Sequence, residues 1–81
     1  MNQHTILVVE DNPATRKMVR FALGKRGHRV LDAPNARTAM DLTERHQPVV
    51  VLQDLVLPDY DGFALVAELR KRSKGAMARS A

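Results

Sequence analysis

Two short apolar runs rich in β-branched residues, Ile6-Leu7-Val8-Val9 and Val49-Val50-Val51-Leu52, constrain the fold most. Each is too short to be a helix, and each is closed by polar residues, which is the pattern of a buried strand. The first ends in Glu10-Asp11-Asn12 and the second runs through Gln53 to Asp54. Between them lie segments of helical period. Pro13 suits the first turn of a helix, where its missing N–H costs nothing. Ala14, Met18, Val19, Ala22 and Leu23 then recur on one stripe with Phe21 flanking, up to a stop at Gly27. His28-Arg29-Val30-Leu31-Asp32 reads as a second, more polar strand, suited to a sheet edge. Ala33-Pro34-Asn35 is a turn, with Asn35 as N-cap of a helix whose inner face is Ala36, Ala39, Met40 and Thr43. Gln47-Pro48 ends that helix. After the loop Leu55 to Gly62, a third helix carries Phe63, Val66 and Leu69 on one stripe, with Leu65 beside it. The order is β-α-β-α-β-α, which predicts a parallel sheet with right-handed crossovers.

Composition narrows the class. Of 81 residues, 44% are hydrophobic and 27% charged, a globular rather than disordered balance. The length allows one domain, and one that buries only a little over about 60% of its unfolded surface. The absence of cysteine excludes disulfides and thiolate zinc sites. No run approaches the length of a membrane span and the start lacks a signal-peptide pattern, so a cytoplasmic location with no membrane partner is the expectation. The net charge of +4 raises a nucleic-acid reading. The cations are spread along the chain, however, and Phe21, Tyr60 and Phe63 are the only aromatics, so the sequence argues for solvated basic faces instead. His4, His28 and His46 share no ligand spacing and read as surface histidines.

In a parallel α/β sheet, ligands bind beyond the carboxyl ends of the strands. Glu10, Asp11 and Asp54 all fall at that edge. If the two apolar strands are neighbours, the three carboxylates converge, and they repel one another unless a cation sits among them. A hard divalent ion such as Mg²⁺ meets that need with oxygen ligands. The alternative is that Asp11 or Asn12 caps the following helix and the acids are ordinary surface groups.

These residues, followed by Leu55-Val56-Leu57-Pro58-Asp59-Tyr60-Asp61-Gly62, resemble the receiver domain of bacterial two-component response regulators, a CheY-like, flavodoxin-like α/β fold. The resemblance covers about residues 4–73. It implies sheet order 2-1-3 for an N-terminal βαβαβα portion, with 74–81 as a basic, small-residue tail of a single incomplete domain. It implies that Asp54 accepts a phosphoryl group from a phosphohistidine on a sensor histidine kinase or phosphotransfer protein. Asp11 would bind Mg²⁺ directly, Glu10 through a water, and Val56 through its backbone carbonyl, with Asp54 completing the metal set. Pro58 and Gly62 would shape the loop, and Ala14, Thr15 and Met18 would help dock the partner. Such a module is regulatory, and its enzymology is limited to Mg²⁺-dependent phosphorylation of its own aspartate. Two features depart from the pattern: Gln53 stands where an apolar residue is usual, and Val56 offers no polar side chain to direct a hydrolytic water, which favours a long-lived phosphoryl group. The family's hydroxyl at the end of strand four and lysine at the end of strand five have no expected counterpart, since Lys71, Ser73, Lys74 and Ser80 fall in a helix or tail. With strand three left as an edge, the expectation is impaired signalling and self-association, through that edge or by exchange of elements between chains. An association module without phosphorylation is the alternative reading.

Overall fold

A computed structural model describes residues 4–54, 56–73 and 77–80, the last four by their backbone alone. Leu55 of the motif, the start Met1–Gln3 and Lys74 of the basic tail lie outside the described residues. The elements are β1 (Thr5–Val9), α1 (Pro13–Gly24), β2 (Arg29–Ala33), α2 (Ala36–His46), β3 (Val50–Gln53), α3 (Gly62–Arg72) and β4 (Met77–Ser80). β1 pairs in parallel with both β2 and β3, as expected for order 2-1-3.

The sheet extends one strand further, giving the order β2-β1-β3-β4. The residues of β4 were expected to be tail. The strand pairs in parallel with β3, with Val50 opposite Met77 and Gln53 opposite Ser80. β4 lacks the β-branched run that marks β1 and β3, so its sequence carries no strand signal. Its backbone instead satisfies the second ladder of β3, whose N–H and C=O groups would otherwise be an open template. Strand three is therefore interior, and the expected self-association through its edge loses its structural basis. Ser80, set aside in the sequence, holds the last position of β4 beside the end of β3.

Alternation along β1 builds two faces. Leu7 and Val9 join Ala33, Ala36, Ala39, Val51, Leu65 and Leu69 in one core, the side covered by α2 and α3. Ile6 and Val8, also buried, turn to the other side. There α1 packs on β1 and β2, and Arg16 of α1 bonds to Asp32, the register partner of Val8. Truncating Leu65, which is 0% exposed, should cost about 2–5 kcal/mol. Chemical denaturation of Leu65→Ala is expected to show most of this small domain's stability gone, and a midpoint near wild type would contradict the assigned core.

α2 follows its pattern, with Ala36, Ala39 and Thr43 buried and Asn35 capping it through Thr38 N–H at 2.9 Å. The other two helices depart from theirs. No residue of α1 is fully buried: Val19 and Leu23 are half-buried, while Ala14, Ala22, Met18 (66% exposed) and Phe21 (68%) face solvent. In α3, Leu65 and Leu69 face the core and Phe63 is 72% exposed. Period alone marks a stripe's existence, but the sheet determines which part of it is covered. Gln47 ends α2 in the left-handed region at φ 47° rather than the extended conformation usual before proline. Its side-chain amide donates to the carbonyls of Thr43 and Arg72, each at 3.0 Å, which holds that conformation and joins the far ends of α2 and α3.

Candidate metal centre

The parallel register sets Val9 beside Gln53, so the residues that follow, Glu10 and Asp54, leave the sheet side by side. The Asp54 N–H donates to the Val9 carbonyl at 2.9 Å, continuing the ladder by one bond. The Glu10 N–H donates to the Ala33 carbonyl at 3.0 Å, which ties the other flank to β2. Asn12 caps α1, its Oδ1 accepting from Ala14 and Thr15 N–H at 3.0 Å each. Capping therefore falls to Asn12 and leaves the carboxylate of Asp11 exposed for other use. Oxygens of Glu10, Asp11 and Asp54 all lie within 4.8 Å of one another.

The cluster is strained electrostatically. The Glu10 carboxyl is pushed above its ordinary value, first by burial and then by the charge of Asp54, against the lowering effect of the Asn12 N–H that donates to it at 3.0 Å. Arg16 donates to the Glu10 backbone carbonyl at 2.9 Å, and its charge is paired with Asp32 at 3.1 Å. The donor set is all oxygen, and carboxylate oxygens within 4.8 Å of one another can reach one small hard ion. These residues thus fit a hard divalent ion. One oxygen of Asp54 accepts from Val56 N–H at 3.0 Å, and its other oxygen receives no hydrogen bond from the described residues.

The loop after Asp54 is held at several points. Asp61 caps α3 by accepting from Phe63 N–H at 3.0 Å, and Gly62 is the buried first residue of that helix. Pro58 is exposed. Asp59, to which the motif alone assigns no partner, reaches α2 and accepts from Ala36 N–H at 2.9 Å and Arg37 N–H at 3.2 Å. The N-terminal end of a helix favours a carboxylate, and the Ala36 N–H holds the Asp59 carboxyl below its ordinary value. A depressed carboxyl pKa contributes stability that is full above the unfolded value, about pH 4, and is lost as pH falls through the folded one. Asp59→Ala should therefore cost about 0.5 kcal/mol, the low end for a helix cap because the group is exposed. Urea titrations at neutral pH and near pH 3 should show that difference shrink on acidification; an unchanged difference would contradict the tie.

Of the expected docking residues, Ala14 and Met18 lie on the exposed face of α1 with Lys17, Arg20, Phe21 and Gly24, next to the C-cap Lys25, while Thr15 is half-buried beside it. Lys25 lies over the Phe21 ring at 5.5 Å. No helix among the described residues is long and apolar enough to cross a membrane.

Residues 6–78 match the family described as response regulator receiver domain. An uncharacterized 14.6 kDa protein of Leptolyngbya boryana is 44% identical over 73 residues, 90% of this chain and 56% of that protein. Protein PilH of Pseudomonas aeruginosa is 38% identical over 66 residues, 82% of this chain and 54% of that one. The chain thus spans about half the length of these curated relatives. A CheY-like receiver domain from Methylobacillus flagellatus superposes with a TM-score of 0.86 at 26% identity, covering 98% of this chain and 70% of its own. A response regulator from Thermotoga maritima, solved in complex with Mg(2+)-BeF, gives 0.85 at 28% identity, covering 94% and 66%.

Proposed function

Because the chain belongs to the response regulator receiver domain family, we propose that it serves as the phosphoacceptor module of a two-component phosphorelay, with Asp54 as acceptor. The convergence of Glu10, Asp11 and Asp54 at the carboxyl ends of β1 and β3 carries this reading. The Asp54 oxygen that does not accept from Val56 N–H attacks the phosphorus of a partner's phosphohistidine. A P–O bond forms, the P–N bond breaks, and the imidazole nitrogen leaves with the electron pair.

Asp11 would hold Mg²⁺ directly, Glu10 through a water, and Asp54 and the Val56 carbonyl would complete the protein's share. When bound, the ion supplies positive charge between carboxylate and phosphoryl oxygens. The chain's own part is orientation: the Val9 carbonyl and the Val56 N–H fix Asp54 on either side. Pro58 and Gly62 shape the loop that returns to α3. Ser80 holds the last register position of β4, opposite Gln53. No counterpart of the strand-five lysine stands among the described residues. The exposed face of α1, with Ala14 and Met18 and half-buried Thr15, is the docking face for a histidine kinase or phosphotransfer partner. Incubation with acetyl phosphate and Mg²⁺, followed by peptide mapping, tests the reading: the phosphoryl group is expected on Asp54, and a label elsewhere or none would overturn it.

A further inference from the structure

We propose that Gln53 is a positioning residue for Asp54, acting through the buried hydrogen bond that closes the loop between the acceptor and α3. Gln53 ends β3 and is 0% exposed, on the sheet side of Val51 and Leu65. Its Nε2 donates to the Gly62 carbonyl at 2.6 Å. Its Oε1 is buried and has no hydrogen-bond partner among the described residues. A buried carboxamide with one end unmet is unfavourable beside an apolar side chain of equal size. Packing alone would favour methionine or leucine here, so the bond is the gain that Gln53 offers.

The bond joins the residue before Asp54 to the first residue of α3. The segment it spans contains Asp54, Val56 and the α3 cap Asp61. On its amino side Asp54 is held by the β1 ladder. On its carboxyl side the chain leaves the sheet. There Leu57 packs on the core and Val56 bridges to Asp61. The side chains of Asp59 and Gln53 tie the returning loop to its neighbours. Asp59 reaches out from the exposed middle of the loop to α2. Gln53 works from inside, and the buried site shields its bond from competing water. A nucleophile misplaced by about 1 Å can lose a hundredfold in rate, so a fixed return path bears directly on transfer.

This inference rests on the reading of Asp54 as acceptor, so the test has one readout that needs no phosphoryl group. Gln53→Met keeps the length and removes the donor; Gln53→Leu is a second variant of similar volume. In metal-free protein, amide hydrogen exchange at residues 56–61 is expected to rise about tenfold in both, with β1 and α2 unchanged and thermal stability not reduced. Labelling by acetyl phosphate at saturating Mg²⁺ is expected to slow about tenfold, with Mg²⁺ affinity changed less than about threefold. Loop exchange and labelling both within about twofold of wild type would overturn the proposal. So would equal acceleration of exchange across β1 and α2, the mark of a purely structural role. A wild-type protein that takes no phosphoryl group overturns the acceptor reading itself, and with it the positioning role.

Discussion

In Asp54→Asn, labelling by acetyl phosphate with Mg²⁺ is expected to fall by at least about a hundredfold, because the nucleophile is gone while the fold is kept. The substitution is conservative for the structure. The introduced carboxamide retains a carbonyl oxygen to accept from Val56 N–H, and the backbone bond to Val9 is untouched. The neighbouring acids are poorly placed to substitute. Glu10 is half-buried and engaged by Asn12 N–H, and Asp11 lies outside the sheet on the turn into α1. The loss should therefore be close to complete, with melting temperature equal to wild type or higher, since one charge leaves a crowded cluster. Mass spectrometry of intact protein reads both the label and its loss.

Mg²⁺ itself should stabilise the folded chain strongly. The three carboxylates meet only in the native state, so the ion binds that state and not the unfolded one. At an ion concentration of a hundred times Kd the linkage amounts to about 2.7 kcal/mol. For a domain of this size that corresponds to a rise in Tm of roughly 10–20 °C. Asp11→Asn should abolish most of the rise while leaving the metal-free melt equal to wild type or slightly higher, because Asp11 caps nothing and one charge leaves the cluster. Differential scanning calorimetry across a Mg²⁺ series checks both statements. A wild-type Tm indifferent to Mg²⁺ would contradict the shared site.

The parts of the fold visible in the sequence are those with strong local causes. β1 and β3 are written as apolar runs, α2 by its Asn35 cap and small inner face, and the acid positions follow from strand ends. β4 was not visible because nothing in Met77–Ser80 resembles a strand; its partner's unmet backbone decides the matter. The exposure of Met18 and Phe63 was hidden for the opposite reason: each sits on a helical stripe, but the sheet covers only part of it. The acid cluster was legible as a set, but its supports were not. Asp59 bonds to α2 across 23 positions of sequence and Arg16 to Asp32 across 16, distances at which no local pattern reports. Gln53 is an intermediate case. As a polar residue closing an apolar strand it stands out from its neighbours, but its partner, the Gly62 carbonyl, is defined only by the return of the loop to α3.

The central claim is that three acids from two strand ends form one divalent-ion site around Asp54. A Mg²⁺ titration of isotopically labelled protein followed by amide NMR addresses it most directly. Shifts should concentrate at Glu10, Asp11, Asp54 and Val56, saturate together with one affinity, and vanish in Asp11→Asn. Shifts spread over the basic faces, or the absence of any saturable change at those four amides, would contradict it.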